Sequence, residues 1–325
     1  MPRLSKGSIV GYATDTTSWG THTAASAWLP VLSYTPTESR PPSVVPTMGR
    51  DGAAGLFSEE HVRERVDFAG RVEHHVHYQA GGMHFVILHA FGAVATSGAG
   101  PYVHTYTLGD KPALGLSATF NKGEAASDLS AGGRVSGFEL RHVNGTDGDG
   151  LAVFAFDAIW KASENGEESK VSPTYTPITR KMLASQMSGF TWNGTDRKAY
   201  LLDYTLTVDR ATGRAPGFGT KETADPIQRG PHVVTLTARF RQEDGSHYAA
   251  VRADTASDLV IGYTGTGNDA ISLTLRNGIV ASVAEERSAS TNEVIETVTM
   301  QFFGDATDSP LTMAITNDAS DPATN

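Results

Sequence analysis

The feature that most constrains the fold is a long stretch, residues 66–77, in which apolar and polar side chains alternate. The apolar positions are Val66, Phe68, Val72 and Val76, and the polar positions between them are Asp67, Arg71, Glu73, His75 and His77. A period of two residues is the side-chain period of a β-strand, and one apolar face with one polar face is typical of a sheet that is solvated on one side. The stretch therefore predicts a long two-faced strand.

A short helix and a hairpin follow that strand in the sequence. Residues 83–91 are apolar and are bounded by glycines, which is typical of a short buried helix. Two long runs at 133–143 and 150–160 then flank the sequence Asn-Gly-Thr-Asp-Gly-Asp at 144–149. Glycine, asparagine and aspartate tolerate the positive φ angles that a chain reversal needs, so these runs predict a β-hairpin.

The second half of the chain repeats this order of elements. It has a strand, a long alternating run, a short helix, two further strands and a final hairpin. These elements are predicted at 200–208, 231–242, 246–253, 259–263, 270–275, 279–286 and 294–303. A repeated order of elements indicates an internal duplication. The predicted fold class is mainly β, with two tandem β-sandwich or β-barrel domains, each with a short flanking helix.

The boundaries of these domains follow from the irregular segments. We predict residues 1–62 to be an extended N-terminal arm, 63–162 the first domain, 163–198 a linker and 199–325 the second domain. Several prolines between residues 36 and 46 exclude a helix or a central strand there. Such a segment is either disordered or lies extended along a neighbouring surface, and the apolar side chains near residue 30 favour the second alternative. A loop rich in glycine and proline is predicted at 211–228.

Composition excludes several classes of function. The formal net charge of the 325 residues is −10, which disfavours a protein that grips nucleic-acid phosphates. The chain has no cysteine, so disulfides and thiolate metal sites are excluded. No apolar run is long enough for a signal-peptide core or a membrane span, and we expect the chain to fold in a cytoplasm.

The strongest candidate for chemistry is a group of histidines around the alternating strand. His75 and His77 share one strand face with a spacing that can chelate a transition metal, and His74, His84 and His89 are near in sequence. The alternative, which we favour, is a polar strand face with several histidines. No nucleophile elbow, calcium loop or phosphate loop is complete in the sequence. We therefore expect no catalytic residue, no metal site and no cofactor.

Several stretches carry a resemblance to a known family. They are Gly20-Thr21 with Trp28-Leu29-Pro30, the strand 66–77 running into 83–92, Pro101–Tyr106 before Ala113–Phe120, the runs 133–143 and 150–160, and Thr297–Phe302 before Pro310–Asn317. They span about residues 7–317. Their layout resembles that of the major tail tube proteins of long-tailed, non-contractile (siphovirus-like) bacteriophages.

The resemblance implies a structural virion protein without enzymatic activity. In that family the long hairpins of neighbouring tube domains join into a continuous barrel around a channel. Chains with two such domains form rings of three with pseudo-sixfold symmetry, and the stacked rings conduct DNA into the host. The implied partners are further copies of the chain, a tape measure protein, a tail terminator and a distal tail protein. Double-stranded DNA would pass without specific binding, no membrane insertion is implied, and the protein would occur in the virion and, during assembly, in the host cytoplasm.

This arrangement gives the polar and apolar residues distinct expected roles. Long two-faced strands leave unpaired edges in a lone chain, and a barrel closed across subunits removes them. The polar positions expected to line the lumen are Asp67, Arg71, Glu73, His75, Thr235, Thr237, Arg239, Thr297, Thr299 and Gln301. The residues expected to make contacts between rings are Trp28, Leu29, Val31, Leu32 and Phe218.

A second function remains open from the sequence. The chain is also compatible with a virion-associated β-sandwich module that binds or adheres to a carbohydrate or receptor. Such a module would expose aromatic side chains on one face, and Tyr102, Tyr106, Trp160 and Trp192 are the candidates. A β-rich hydrolase is the third class, and it lacks a supporting motif.

Overall fold

The structure of the chain is a computed structural model, and it is mainly β with two short helices, as the sequence predicted. The structural statements below concern the residues that it describes. These are 9–15, 18–39, 43–44, 61–62, 67–78, 81–121, 127–143, 150–168, 180–216, 223–242, 246–253, 255–287 and 293–322. The predicted turn at 144–149 and the predicted contact residue Phe218 lie outside them.

The first half of the chain contains one helix and a series of strands. They are β1 (Ile9–Thr14), β2 (Ala27–Pro30), β3 (Ser33–Ser39), β4 (Ser43–Val44), β5 (His61–Val62), β6 (Asp67–His75), α1 (Gly82–Phe91), β7 (Gly92–Ser97), β8 (Tyr102–Leu108), β9 (Leu116–Asn121), β10 (Ser127–Val143), β11 (Val153–Trp160) and β12 (Ala162–Glu168). The alternating stretch is thus β6, and the predicted hairpin is β10 with β11.

The second half follows the same plan. A 3-10 turn at Ala184–Gln186 leads into β13 (Met187–Trp192), β14 (Thr195–Asp196), β15 (Leu201–Asp209), β16 (Thr212–Pro216), β17 (Thr223–Gln228), β18 (Val233–Arg241), α2 (Ser246–Ala253), β19 (Ser257–Thr264), β20 (Ala270–Arg287), β21 (Val294–Phe302) and β22 (Leu311–Asn317). Strand β18 is the second alternating run, and β20 with β21 is the final predicted hairpin.

One antiparallel sheet of eight strands runs through both halves, and we call it the long sheet. Its order is β3-β6-β11-β10-β15-β18-β21-β20. The first flanking sheet has the order β2-β1-β9-β10-β12. The second flanking sheet has the order β14-β13-β19-β20-β22-β8-β7. Strands β10 and β20 are long enough to belong to both the long sheet and a flanking sheet.

The core lies between the long sheet and the flanking sheets. In the first half, the Tyr12 hydroxyl on β1 is 2.7 Å from Nε2 of His74 on β6, and the rings of Tyr34 and Phe120 stack at 3.7 Å. In the second half, Phe190 on β13 meets Phe240 on β18 edge to face. Apolar side chains from facing sheets interdigitate in this way in β-sandwiches. The opposite face of the long sheet remains polar.

Both predicted helices are present beside this core. Helix α1 is almost wholly buried, and it ends where the backbone N–H of Gly92, at φ +110°, donates to the carbonyl of Leu88. Helix α2 is amphipathic and packs on β20. Among the described helices, none is long and apolar enough to span a membrane.

The two halves share their pattern of strand pairing. Each strand below pairs with the corresponding neighbours in its own half. Strand β1 corresponds to β13, β2 to β14, β3 to β15, β6 to β18, β9 to β19, β10 to β20, β11 to β21 and β12 to β22. The β7-β8 hairpin lacks a counterpart among the described residues. The predicted division into two domains stays a prediction, because the long sheet joins the halves.

The correspondence extends to the kinks at which β10 and β20 leave their flanking sheets. Gly132 in β10 has φ +65°, and Asn277 at the matching place in β20 has φ +50°. A Cβ atom on the next residue, Gly133, would come within 2.4 Å of Trp160, and one on Gly278 would come within 2.4 Å of Phe302. Each kink therefore combines a left-handed residue with a glycine over which an aromatic ring packs.

The N-terminal segment and the linker differ from the sequence prediction. Strands β1, β2 and β3 pair with β9 and β6, so residues 9–14 and 27–39 belong to the sheets and are not an extended arm. Likewise, β12, β13 and β14 lie in the segment predicted as a linker, and β16 with β17 forms a hairpin in the predicted loop. These strands are short, and several of them also pair with partners that are distant in sequence, so local patterning gave little signal for them.

Strand β20 also corrects the prediction of two separate strands at 270–275 and 279–286. It is one strand of 18 residues. The kink at Asn277-Gly278 shifts the alternation and transfers the strand from the second flanking sheet to the long sheet. The break in periodicity is therefore a bend within one strand.

Candidate assembly surface

The halves of the chain are joined by direct pairing of β10 with β15, which we call the internal joint. Its register places Gly137 opposite Asp209 and Val143 opposite Asp203. Between these ends, Glu139 lies opposite Thr207 on the polar face. The backbone N–H of Arg210 donates to the carbonyl of Ser136 at 3.0 Å just beyond the paired strands. The internal joint thus shows how an edge strand of one half accepts an edge strand of the other.

Buried polar side chains reinforce the internal joint on its core side. The Nδ1 atom of His142 on β10 is 2.7 Å from the Tyr263 hydroxyl, which is 2.9 Å from the hydroxyl of Tyr204 on β15. The guanidinium of Arg210 donates to the carbonyls of His89 and Ala90 in α1 at 2.9 and 2.6 Å. Burial lowers the pKa of Arg210 to about 10. Carbonyls at a helix C-terminus carry partial negative charge and stabilise this cation.

Two further links join the halves away from the long sheet. The buried guanidinium of Arg134 donates to both carboxylate oxygens of Asp225 on β17, at 2.8 and 3.1 Å, and Lys111 approaches the same carboxylate at 2.7 Å. Partial burial would raise the pKa of Asp225, but the ion pairs with Arg134 and Lys111 lower it below its usual value. In the second flanking sheet, β8 of the first half pairs with β22 of the second.

The long sheet ends in two strands that have one neighbour each. Among the described strands, β3 pairs only with β6, and the Ile279–Arg287 part of β20 pairs only with β21. Strand β3 corresponds to β15, and β20 corresponds to β10. The two open edges are therefore the counterparts of the two strands that pair in the internal joint. They are the candidate assembly surface of the molecule.

The polar face of the long sheet contains the residues expected to line a lumen. Cross-strand partners share a face, and Arg239 lies opposite Thr297, Thr237 opposite Thr299, and Thr235 opposite Gln301. The remaining predicted residues on this face are Asp67, Arg71, Glu73 and His75, all on β6. The prediction that Asp67 lines a lumen is wrong, because only 7% of its surface is exposed. Alternation assigns a side chain to a face, but it does not show whether other parts of the chain cover that position.

Charges on the polar face of the first half form a compact network. The Arg71 guanidinium donates to Glu139, Asp157 and Glu73 at 3.0, 3.2 and 3.3 Å, and Arg141 donates to Glu73 at 3.3 Å. Burial alone would lower the pKa of Arg71, but its bonds to Glu139 and Glu73 and the charge of Asp157 raise it. The network satisfies these cations, so they are not left to attract an external anion.

Among the described residues of this face, acidic groups outnumber basic groups. The basic side chains on it are Arg71, Arg141, Arg239 and Arg241, and the exposed or half-exposed acidic ones are Glu73, Glu139, Asp157, Asp203, Asp209 and Glu286. Arg239 is further paired with Asp203 at 2.8 Å. A net negative face repels nucleic-acid phosphates and does not retain them.

Most of the residues predicted to make contacts between rings instead pack against other residues of the same chain. Leu29 is fully buried, so its assignment as a contact residue is wrong. It packs beside Gly82 of α1, where a Cβ atom would come within 2.6 Å of its side chain. Trp28 is half-buried against Gly11, and Val31 packs on the core. Leu32 is 47% exposed and stays available for such contacts.

Except for His75, which is partly exposed on β6, the histidines of the predicted polar cluster lie in the core. His74, His77, His84 and His89 are buried, and burial lowers their pKa values to about 4, 3, 4 and 3 respectively. His74 bonds to Tyr12 and Pro30, His84 to Tyr106, and His89 to Thr14. In the part of the chain that the structure describes, no group of three or more histidine or carboxylate side chains is placed to hold a metal ion. His77, which the alternation assigned to the polar face, is buried.

The aromatic residues of the binding-module hypothesis are also mostly internal. Tyr106, Trp160 and Trp192 are buried, and only Tyr102 is partly exposed. Trp160 packs against Phe120 and over Gly133. A carbohydrate platform requires exposed rings, so these residues do not support that hypothesis.

One sequence signal for the assembly surface was missed. Residues 34–40 read Tyr-Thr-Pro-Thr-Glu-Ser-Arg, and residues 204–210 read Tyr-Thr-Leu-Thr-Val-Asp-Arg. These stretches cover the corresponding strands β3 and β15. Four of the seven positions are identical, and this local repeat identifies β3 as the counterpart of a strand that lies inside the sheet.

Comparison of the sequence with protein-family models and with curated proteins finds no match. The functional argument therefore rests on the fold, its edges and its polar face.

Proposed function

We propose that this chain is a structural subunit that joins copies of itself edge to edge into a ring, and that stacked rings form the tail tube of a bacteriophage. The observation that carries the proposal is the internal joint. It pairs the counterparts of the two strands that remain open at the ends of the long sheet. A chain with one edge of each kind can add further copies head to tail.

The curvature of such an assembly decides between a ring and a filament. A twisted antiparallel sheet closes into a barrel when its last edge meets its first, and closure removes both open edges. Three copies, as the resemblance implies, supply 24 strands. With strands about 4.8 Å apart and tilted by about 40°, the barrel is about 48 Å across between backbones. That width leaves a water-filled channel inside the ring.

The distribution of polar and apolar side chains decides which face of the long sheet lines the channel and which lies on the outside of the ring. The flanking sheets and the two helices cover the apolar face of the long sheet, so they form the outside of the ring. The polar face then lines the channel with threonines, paired arginines and an excess of carboxylates. A hydrated lining with net negative charge suits a conduit through which DNA slides into the host. The proposed activity of the subunit is to assemble and to let DNA pass, without catalysis and without a cofactor.

The setting follows from the same proposal. The subunit belongs to the virion and is assembled in the host cytoplasm. A tape measure protein would occupy the channel before DNA, and a tail terminator and a distal tail protein would close the two ends of the tube.

Sedimentation velocity over a range of concentrations tests the proposal. The wild-type chain should form species whose size grows with concentration. Glu285→Pro should begin to assemble only at a higher concentration, because it removes one of the N–H groups that β20 directs at its open edge while retaining the bonds to β21. Thermal unfolding of the variant controls for loss of the fold. A wild-type chain that stays monomeric at every concentration, or a variant that assembles normally, would contradict edge-to-edge assembly.

A further inference from the structure

We propose that copies of this chain join through a weakened replica of the internal joint, in which β20 of one copy pairs with β3 of the next in the register of β10 and β15. The inference rests on the proposed function and adds to it the pairing partners and the strength of the contact. It follows from aligning the two halves through their own hydrogen-bonded ladders.

The register between copies follows from corresponding positions. The bulge that interrupts the β10-β11 ladder between Val135 and Gly137 recurs in the β20-β21 ladder between Val280 and Ser282, which aligns Glu139 with Ala284. The other side of the joint is aligned in the same way through β6 and β18. Tyr34 of β3 pairs with Val72 of β6, and Tyr204 of β15 pairs with Ala238 of β18. Val72 and Ala238 in turn lie opposite corresponding positions of β11 and β21, so Tyr34 corresponds to Tyr204. Thr37 therefore corresponds to Thr207.

The replica places defined residues opposite each other. Because Glu139 faces Thr207 in the internal joint, Ala284 of one copy faces Thr37 of the next. On the same face, Ser282 is placed opposite Ser39 and Glu286 opposite Thr35. All of these residues belong to the polar face and are partly or fully exposed in the single chain.

Pro36 removes one hydrogen bond from this replica. Since the N–H of Arg210 points across the internal joint to Ser136, every second residue of β15, including Leu206, directs its N–H the same way. The counterpart of Leu206 is Pro36, which has no N–H to give to the neighbouring copy. A proline whose nitrogen faces outward is a device of edge strands that limits uncontrolled pairing.

The core side of the joint is also more polar between copies. In the internal joint, Phe138 and Leu140 are buried opposite Val208 and Leu206. The corresponding residues of the open edge of β20 are Val283 and Glu285, and those of β3 are Glu38 and Pro36. Burying carboxylates in place of leucine and valine makes a joint less favourable.

The outer link of the internal joint has no equivalent between copies. Strand β8 of the first half ties β22 of the second half into one sheet. In the second half, the described chain passes from α2 to β19 without a hairpin like β7-β8. The strand that would receive such a hairpin is β12, which pairs only with β10 among the described strands. The joint between copies thus relies on the long sheet alone.

These differences make assembly depend on closing several weak contacts together. A single pair of copies gains a short ladder that lacks one bond, so isolated pairs dissociate. A closed ring, or a ring stacked on another, makes several contacts for one loss of translational freedom. The subunit therefore stays soluble until a template or a high concentration supplies the remaining contacts.

Cysteine cross-linking tests the register, because the chain contains no native cysteine. Glu139→Cys with Thr207→Cys probes the internal joint, and Thr37→Cys with Ala284→Cys probes its replica between copies. Both pairs occupy non-hydrogen-bonded positions, where side chains are closest. Under mild oxidation, the first pair should form a disulfide within one chain, and the second should link assembled chains into covalent multimers. The slipped pair Thr35→Cys with Ala284→Cys should cross-link at least about tenfold less.

The strength of the joint is tested by restoring the missing donor. Pro36→Ala should lower the concentration at which assembly begins by about 2–10-fold, the effect of one net hydrogen bond. Pro231→Ala, an exposed proline outside the strands, is the matched control and should leave that concentration unchanged.

The outcomes separate this inference from the proposed function. Tubes with in-register cross-links and easier assembly of Pro36→Ala support both. Tubes in which the slipped pair cross-links better, or in which Pro36→Ala assembles no more easily, leave the tube function standing and overturn the weakened replica. If no covalent multimers form from any pair and wild-type chains never assemble, both are wrong.

Discussion

The polar faces of the two halves share the same pattern of strand pairing but carry different types of side chain. The position of Arg71 on β6 corresponds to Thr237 on β18, and Asp157 on β11 corresponds to Thr299 on β21. One half thus carries a charged network where the other carries a ladder of threonines. A site that performs chemistry would require particular groups at fixed positions. What the halves share is strand pairing and a hydrophilic surface, which is what a repeated wall of a channel requires.

The core shows a second difference between the halves. Four buried histidines with lowered pKa values, at positions 74, 77, 84 and 89, all lie in the first half. Buried histidine is neutral, so the native state binds fewer protons than the unfolded chain between the two pKa values. The halves should therefore respond differently to acid, although their strands pair alike.

Acidification should produce the largest effect on this comparison. Stability from these histidines is complete above about pH 6.5 and is lost as the pH falls toward the native pKa values of about 4 for His74 and about 3 for His77. Between pH 7 and pH 5, protonation of the unfolded chain removes at most about 2 kcal/mol of stability for each of these histidines. Hydrogen exchange at pH 7, 6 and 5, corrected for intrinsic rates, should show β6 and α1 losing protection before β18 and β21. Equal loss in both halves would contradict the assignment.

Exchanging the residues at the two corresponding joint positions should have the next largest effect. Leu206→Pro should lower the free energy of unfolding by about 3 kcal/mol, because it removes a ladder bond inside the sheet and leaves a buried carbonyl without its donor. Pro36→Leu should change the stability of the monomer by less than about 0.5 kcal/mol. Urea unfolding of both variants under monomeric conditions measures the difference. Similar losses at both positions would mean that β3 is not an open edge.

Replacing the glycine at either kink with alanine should lower the stability of the protein by a similar amount. Gly133→Ala and Gly278→Ala each drive a Cβ atom into the packed ring of Trp160 or Phe302, and each should cost about 2 kcal/mol. The control is Gly189→Ala, whose nearest neighbouring atom lies at 3.5 Å and which should be close to neutral. Thermal unfolding measures all three. A loss at one kink alone would show that the kinks are not equivalent.

The polar faces should give the smallest effect and the clearest dependence on salt. Arg71→Ala should cost about 1 kcal/mol at low ionic strength and less in high salt, since its ion pairs are half-exposed. Thr237→Ala, at the corresponding position, should cost less than about 0.5 kcal/mol at any salt concentration. Urea unfolding at low salt and at about 1 M salt, where the Debye length falls to about 3 Å, compares the two variants. A salt-independent loss for Arg71→Ala would assign it a packing role.

Sequence patterning predicted the elements whose burial alternates over many residues. Strands β6, β18 and β21 were recognised because one face of each is buried along its whole length, and helix α1 was recognised because it is an apolar run bounded by glycines. Strands β1 and β13 were missed because they are six residues long and obtain their stability from distant partners. Burial of Asp67 and His77 was missed because alternation assigns both residues to the polar face. It does not show that other segments of the chain cover these two positions.

The assembly surface was only partly predictable from sequence. Long strands indicated that edges would exist, but the identity of the open edges depends on which strands pair at the internal joint. The repeated Tyr-Thr-x-Thr stretches at 34–37 and 204–207 carry that information, and they become interpretable once the pairing of β15 is known. Polar positions on β18 and β21 were placed on one face correctly because regular pairing fixes which side chains lie together.

Electron microscopy of the concentrated, purified chain tests the central claim most directly. Negatively stained samples should contain hollow tubes with a regular axial repeat, and end views should show three- or six-fold symmetry around an open channel. The Glu285→Pro variant, examined at the same concentration, should show fewer tubes and more small compact particles. Wild-type samples that contain only compact particles, or solid fibres without a channel, would contradict the account.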